Sequence, residues 1–142
     1  MTTNRPLLLM LTGAALLCFV MLASAQTKRE PPTPSVEAAK QTVLAGLKLI
    51  EAKDFEGWIS QYCHPEHLCP TETSKKSLKR YNLPAIQRLA KKCINGGKLR
   101  VKRAKRDDSL GRIKLYVVCD PKGMPRPFSL RKHGADWKFE RI

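Results

Sequence analysis

The spacing of apolar residues in this 142-residue chain changes at Asn95-Gly96-Gly97, and that change constrains the fold more than any other feature. Before it, apolar side chains recur every three or four residues, as on one face of a helix; after it they alternate, as in a strand. Val36, Ala39, Val43, Leu47 and Ile50 form the first such face. With Ser35 as a plausible N-cap, they predict a helix that ends near Lys53. Asp54 can cap a shorter helix carrying Phe55, Trp58, Ile59 and Tyr62, an aromatic stripe of the kind that fills a core. Cys63 to Ser77 contains two prolines, two histidines and two cysteines and reads as a stapled loop. In a third helix, Pro84 suits the first turn and Ile86, Leu89, Ala90 and Cys93 share a face; Asn95-Gly96-Gly97 stops it.

From Lys98 onward four strands are expected, carrying Leu99 and Val101; Ile113, Leu115, Val117 and Cys119; Phe128 and Leu130; and Trp137 and Phe139. The connections at Asp107-Asp108-Ser109 with Gly111, at Asp120-Pro121-Lys122-Gly123 and at His133-Gly134-Ala135-Asp136 are short, so the strands should form an antiparallel meander. Helices on its apolar face then make a two-layer α+β domain.

Residues 1–25 read as an export signal. Arg5 gives a basic start, Leu7 to Leu22 an apolar stretch, and Ala23-Ser24-Ala25 a small-x-small cleavage pattern before Gln26. The apolar run is short for a membrane anchor, and Leu17 before Cys18 does not fit a lipidation motif. Residues 26–34, with Pro31, Pro32 and Pro34, form a flexible tether, and residues 35–142 are long enough for one domain. The expected location is secreted or periplasmic.

Four cysteines remain after cleavage: Cys63, Cys69, Cys93 and Cys119. An even number in an oxidising compartment argues for two disulfides. Of three pairings, Cys63 with Cys69 and Cys93 with Cys119 is preferred, because the first closes a short loop and the second ties a helix end to the strand beneath it. Cys63-His64-Pro65-Glu66-His67-Leu68-Cys69 also resembles a zinc loop in its ligand types, but the Cys-x5-Cys spacing and export favour the disulfide. There is no glycine-rich phosphate loop and no Cys-x-x-Cys-His haem site, so neither cofactor nor metal is expected.

The order of helices followed by a terminal meander resembles the nuclear transport factor two-like superfamily, a cone-like α+β fold. Two stretches carry the likeness: Leu49 to Trp58, with Asp54-Phe55 and Trp58 at the end of the first helix, and Pro127 to Phe139, with Phe128, Leu130, Gly134, Trp137 and Lys138 in a closing hairpin. The resemblance implies a pocket between sheet and helices, and the superfamily hosts isomerases, dehydratases, transport factors and many uncharacterised exported domains. Its enzymes place a carboxylate or a His-Asp pair facing that pocket. Here the acids fall on the exposed side of the first helix or in turns, and no inward-parity strand position is an acid or a histidine. No catalytic residue is expected. A pocket enzyme of the isomerase or dehydratase kind, or a carrier with a small ligand in the pocket, is the alternative to a binding domain.

Charge points to a partner. Lys and Arg number 27 against 12 Asp and Glu, a net charge of +15. Residues 26–74 hold five basic and seven acidic side chains, whereas residues 75–142 hold 21 and five. Lys98, Arg100 and Lys102 share one strand parity, and Arg112 and Lys114 share another; if their strands pair, the helix-free side of the sheet is a lattice of cations. These five are the candidate anion-binding residues. The fitting partners are an anionic polymer such as acidic cell-wall material, or anionic lipid head groups. Sequence-specific reading of nucleic acid is disfavoured, because aromatics that would stack bases fall mostly on inward parities. A membrane-lytic cationic protein is also disfavoured, because the first helix is balanced by acids.

Overall fold

The computed structural model describes residues 34–142. The expected signal, its cleavage site at Ala25 and Gln26, and the tether up to residue 33 lie outside them. Helix α1 (Pro34–Glu51) buries Ala39, Val43, Leu47 and Ile50. It is closed by Lys53 at φ +62, while Asp54 N–H donates to the Leu49 carbonyl at 2.9 Å. Asp54 then caps α2 (Phe55–Tyr62) by accepting from Gly57 N–H at 2.9 Å, and α2 buries Trp58 and Ile59.

The stretch expected to be a loop as far as Ser77 turns helical at Glu72. Thr71 Oγ1 accepts from Ser74 N–H at 3.1 Å and starts α3 (Glu72–Ser77), which buries none of its side chains. That is why no apolar period announced it. A single π turn (Leu78–Asn82) links it to α4 (Leu83–Cys93), with Pro84 in the first turn and Leu83, Ile86, Ala90 and Cys93 buried.

The strand expected to carry both Leu99 and Val101 is divided, Leu99 pairing with Ile94 and Val101 opening the meander. Ile94–Asn95 (β1) and Lys98–Leu99 (β2) make a small hairpin around Gly96 and Gly97, both at positive φ. The meander follows as β3 (Val101–Asp107), β4 (Arg112–Val117), β5 (Arg126–His133) and β6 (Asp136–Arg141), antiparallel in the order β3-β4-β5-β6. Ile113, Leu115, Val117, Phe128, Leu130, Trp137 and Phe139 are buried in the core that the helices share.

The fold is therefore α+β, with helices packed on a terminal antiparallel sheet. Trp58 and Phe139, ring centroids 5.2 Å apart, fill the middle of the interface. Gly46 admits them: a Cβ there would stand 2.8 Å from Phe139 Cε2 and 3.0 Å from Trp58 Nε1. At the seam between α4 and β5 a cleft of about 100 Å³ remains, lined chiefly by Ile86, Leu89, Phe128 and Ile142. No described helix is long and apolar enough to cross a membrane.

Candidate anion-binding surface

Disulfides join Cys63 to Cys69 and Cys93 to Cys119. The first closes a loop that runs beside β6, where His64 N–H donates to the Phe139 carbonyl at 2.9 Å. The second ties the last residue of α4 to the residues after β4.

The first disulfide brings together all three histidines of the chain. His64 is 2% exposed, with His67 at 4.6 Å and His133 at 5.3 Å between ring centroids. His64 Nδ1 accepts from Glu66 N–H at 3.2 Å, so the neutral ring carries its hydrogen on the buried Nε2. Burial, then the charge of His67, hold the His64 pKa below 6.5 against an opposing hydrogen bond with the Lys132 backbone, with smaller contributions from His133 (lowering) and Glu66 (raising). This geometry does not suit a metal: the thiols are spent in the disulfide, and the inward nitrogen of His64 is protonated. Among the described residues, no three of His, Cys, Asp or Glu are placed to hold an ion.

The same loop borders a cleft of about 440 Å³ lined by Glu56, Glu72, Lys75, His133 and Lys138, among others. Its charges are mostly spoken for. Glu72 pairs with Lys75 at 2.6 Å, Glu56 pairs with Lys79, and Lys138 donates to the Gln61 carbonyl. A cleft whose ions already satisfy one another exerts little pull on a charged ligand.

The cations on the sheet differ, and the structure divides the five expected there. The register of β3 against β4 slips between Val101 and Arg103, leaving Lys102 at a bulge. Lys102 is therefore displaced from the expected lattice. Opposite Tyr116, Lys114 and Arg112 stand instead Arg103, Lys105 and Asp107. Lys98 belongs to the small hairpin, and Arg100 lies past the end of β3, where its carbonyl accepts from Val118 N–H at 2.8 Å. Neither pairs with Arg112 or Lys114.

Arg112 is engaged too. Its guanidinium donates to Glu140 at 2.6 Å, and Arg131 lies 3.2 Å from the same carboxylate. Arg112 faces Arg131 across β4 and β5, with Glu140 as their shared counter-ion; Lys114 faces Lys105 across β3 and β4, and among the described residues neither lysine has an ion pair. Arg103 lies over the Tyr116 ring at 4.2 Å. Arg103 and Lys105 escape a reading of parity because the run Lys102-Arg103-Ala104-Lys105-Arg106 has no apolar alternation to set it. Glu140, 6% exposed, was equally hidden, since nothing local marks a helix-free face as buried.

No family model, curated protein or solved structure matches this chain.

Proposed function

We propose that this chain is an exported, non-enzymatic binding domain of the nuclear transport factor two-like kind, which holds an anionic partner on its basic surface. One observation carries the reading. Lys105 and Lys114 are directly opposed across β3 and β4 and neither has an ion pair among the described residues, an arrangement that destabilises the sheet until an anion offsets it. Arg103 and Lys102 extend the same field along β3. The two disulfides fit an oxidising compartment, in keeping with the basic, apolar and small-residue pattern of residues 1–25.

Heparin serves as a soluble polyanion to test the reading. Retention should fall steeply with salt, through charge screening and counterion release. Arg103→Gln, Lys105→Gln and Lys114→Gln together should lower the eluting salt concentration far more than Lys40→Gln, Lys48→Gln and Lys53→Gln on and just after α1. Equal losses from both triple variants would reduce the surface to net charge and overturn the reading.

A further inference from the structure

At the end of the sheet where β4 gives way to β5, the chain makes a braced turn. The Asp120 carboxylate accepts from Lys122 N–H at 3.0 Å, and its carbonyl accepts from Gly123 N–H at 3.1 Å. Cys119 is tied to Cys93, and Pro121 and Pro125 fix φ on either side. On this turn stands Met124, 90% exposed, well beyond Tyr81 at 61% and Leu110 at 46%. A single exposed apolar side chain is unremarkable in a soluble protein. Its surroundings set this one apart.

Lys122 and Arg126, both exposed, flank Met124 in the chain. The antiparallel register brings Arg100 to the same end, through the hydrogen bond between Val118 and Arg100. Lys92, Lys98 and Arg100 line a cleft of about 350 Å³ that has Pro121 on its rim, and Lys91 joins Lys92 around the adjoining cleft. Six cations thus lie either beside Met124 in the chain or around the clefts that Pro121 of the same turn borders. Asp120, the acid among them, has an oxygen committed to the turn.

We propose that this end of the sheet docks on an anionic lipid surface, with Met124 entering the acyl boundary and a head-group phosphate seated between Lys92, Lys98 and Arg100. The proposal rests on the reading that the basic surface meets an anionic partner, and it names that partner. A soluble polyanion satisfies the cations but leaves Met124 in water. A bilayer offers a plane of anions with an apolar phase directly beneath, matching both features at once. Neither signal is sufficient alone: a cation near an anionic leaflet contributes about fivefold in partitioning, and one thioether side chain adds a comparably small factor. Held together on one rigid turn, they multiply.

The test is co-sedimentation of the secreted protein with vesicles of phosphatidylcholine, with and without phosphatidylglycerol, alongside heparin retention. Binding should require phosphatidylglycerol. Lys122→Gln with Arg126→Gln should weaken it about 25-fold, two factors of about five. Met124→Ser, at a site too exposed to disturb folding, should weaken vesicle binding severalfold and leave heparin retention unchanged. Met124→Trp should strengthen it, with an emission blue shift on the anionic vesicles alone. Equal vesicle binding by Met124→Ser and the native protein would overturn the proposal while the basic-surface reading stood. So would salt-sensitive heparin retention without vesicle binding, which would make a soluble polymer the partner. Absence of both would sink the two together.

Discussion

Glu140 accepts a hydrogen bond from the Arg112 guanidinium at 2.6 Å while only 6% exposed, on the face of the sheet that carries no helix. Burial alone would raise its pKa, but the bond and charge of Arg112, then the charges of Arg131 and His67, outweigh it and hold the pKa below 4.5. The carboxylate is thus the counter-ion for two arginines that would otherwise add to an already cationic sheet. Glu140→Gln should cost about 2 kcal/mol, measured by urea unfolding, because Arg112 loses its anion but, 31% exposed, is partly compensated by water. Since the folded pKa is lowered, the contribution is present above about pH 4.5 and disappears as pH falls through the folded value. The Gln variant should lack that acid limb.

Gly46 should not tolerate a methyl group, although it sits in mid-helix where alanine is the better helix former by about 1 kcal/mol. The added Cβ would meet the rings of Phe139 and Trp58, which the filled core prevents from retreating. Overpacking of this kind costs about 1–3 kcal/mol. Gly46→Ala should therefore be destabilised in a urea melt, and Phe139→Leu in the same chain should return part of the loss. A stabilised Gly46→Ala would show that the rings move aside.

The two disulfides should differ in their effect. Cys93–Cys119 spans 26 residues and Cys63–Cys69 spans six, so the chain-entropy model assigns about 3.5 and about 2.2 kcal/mol to them. Removing the first pair as serines should lower the unfolding midpoint more. Removing the second should act locally, raising amide exchange at His64, Leu68 and Cys69, whose N–H groups bond within this loop or to Phe139. A larger global loss from the shorter loop would contradict this ranking.

What the sequence revealed follows the reach of each physical signal. Helices α1, α2 and α4 and strands β4, β5 and β6 bury apolar faces, and such a period is readable without neighbours. Helix α3 buries nothing and depends on the Thr71 cap and on continuity with α4, so it looked like loop. The cation lattice was misplaced because a bulge at Lys102 reverses parity, and bulges depend on the partner strand. His133 lies more than 60 residues from His64 and His67, and only the seating of the loop against β6 brings them together.

That seating makes the histidine cluster a source of acid sensitivity. The folded pKa of His64 is lowered from 6.5, first by burial and then by the charge of His67, so the unfolded chain binds more protons as pH falls below 6.5. The stability that His64 contributes as a neutral ring is complete above 6.5 and is lost between that value and its lower folded pKa. The groups facing it do not reverse the sign: His67 and His133 disfavour the charged ring, and the Lys132 backbone and Glu66 offset burial and these charges only in part. Thermal midpoints should therefore fall as the pH drops below about 6.5, ahead of the Glu140 limb. His64→Asn, whose side-chain oxygen can still accept from Glu66 N–H, should start from a lower midpoint but lose the slope in this window. An unchanged slope in that variant would assign the acid sensitivity to other groups.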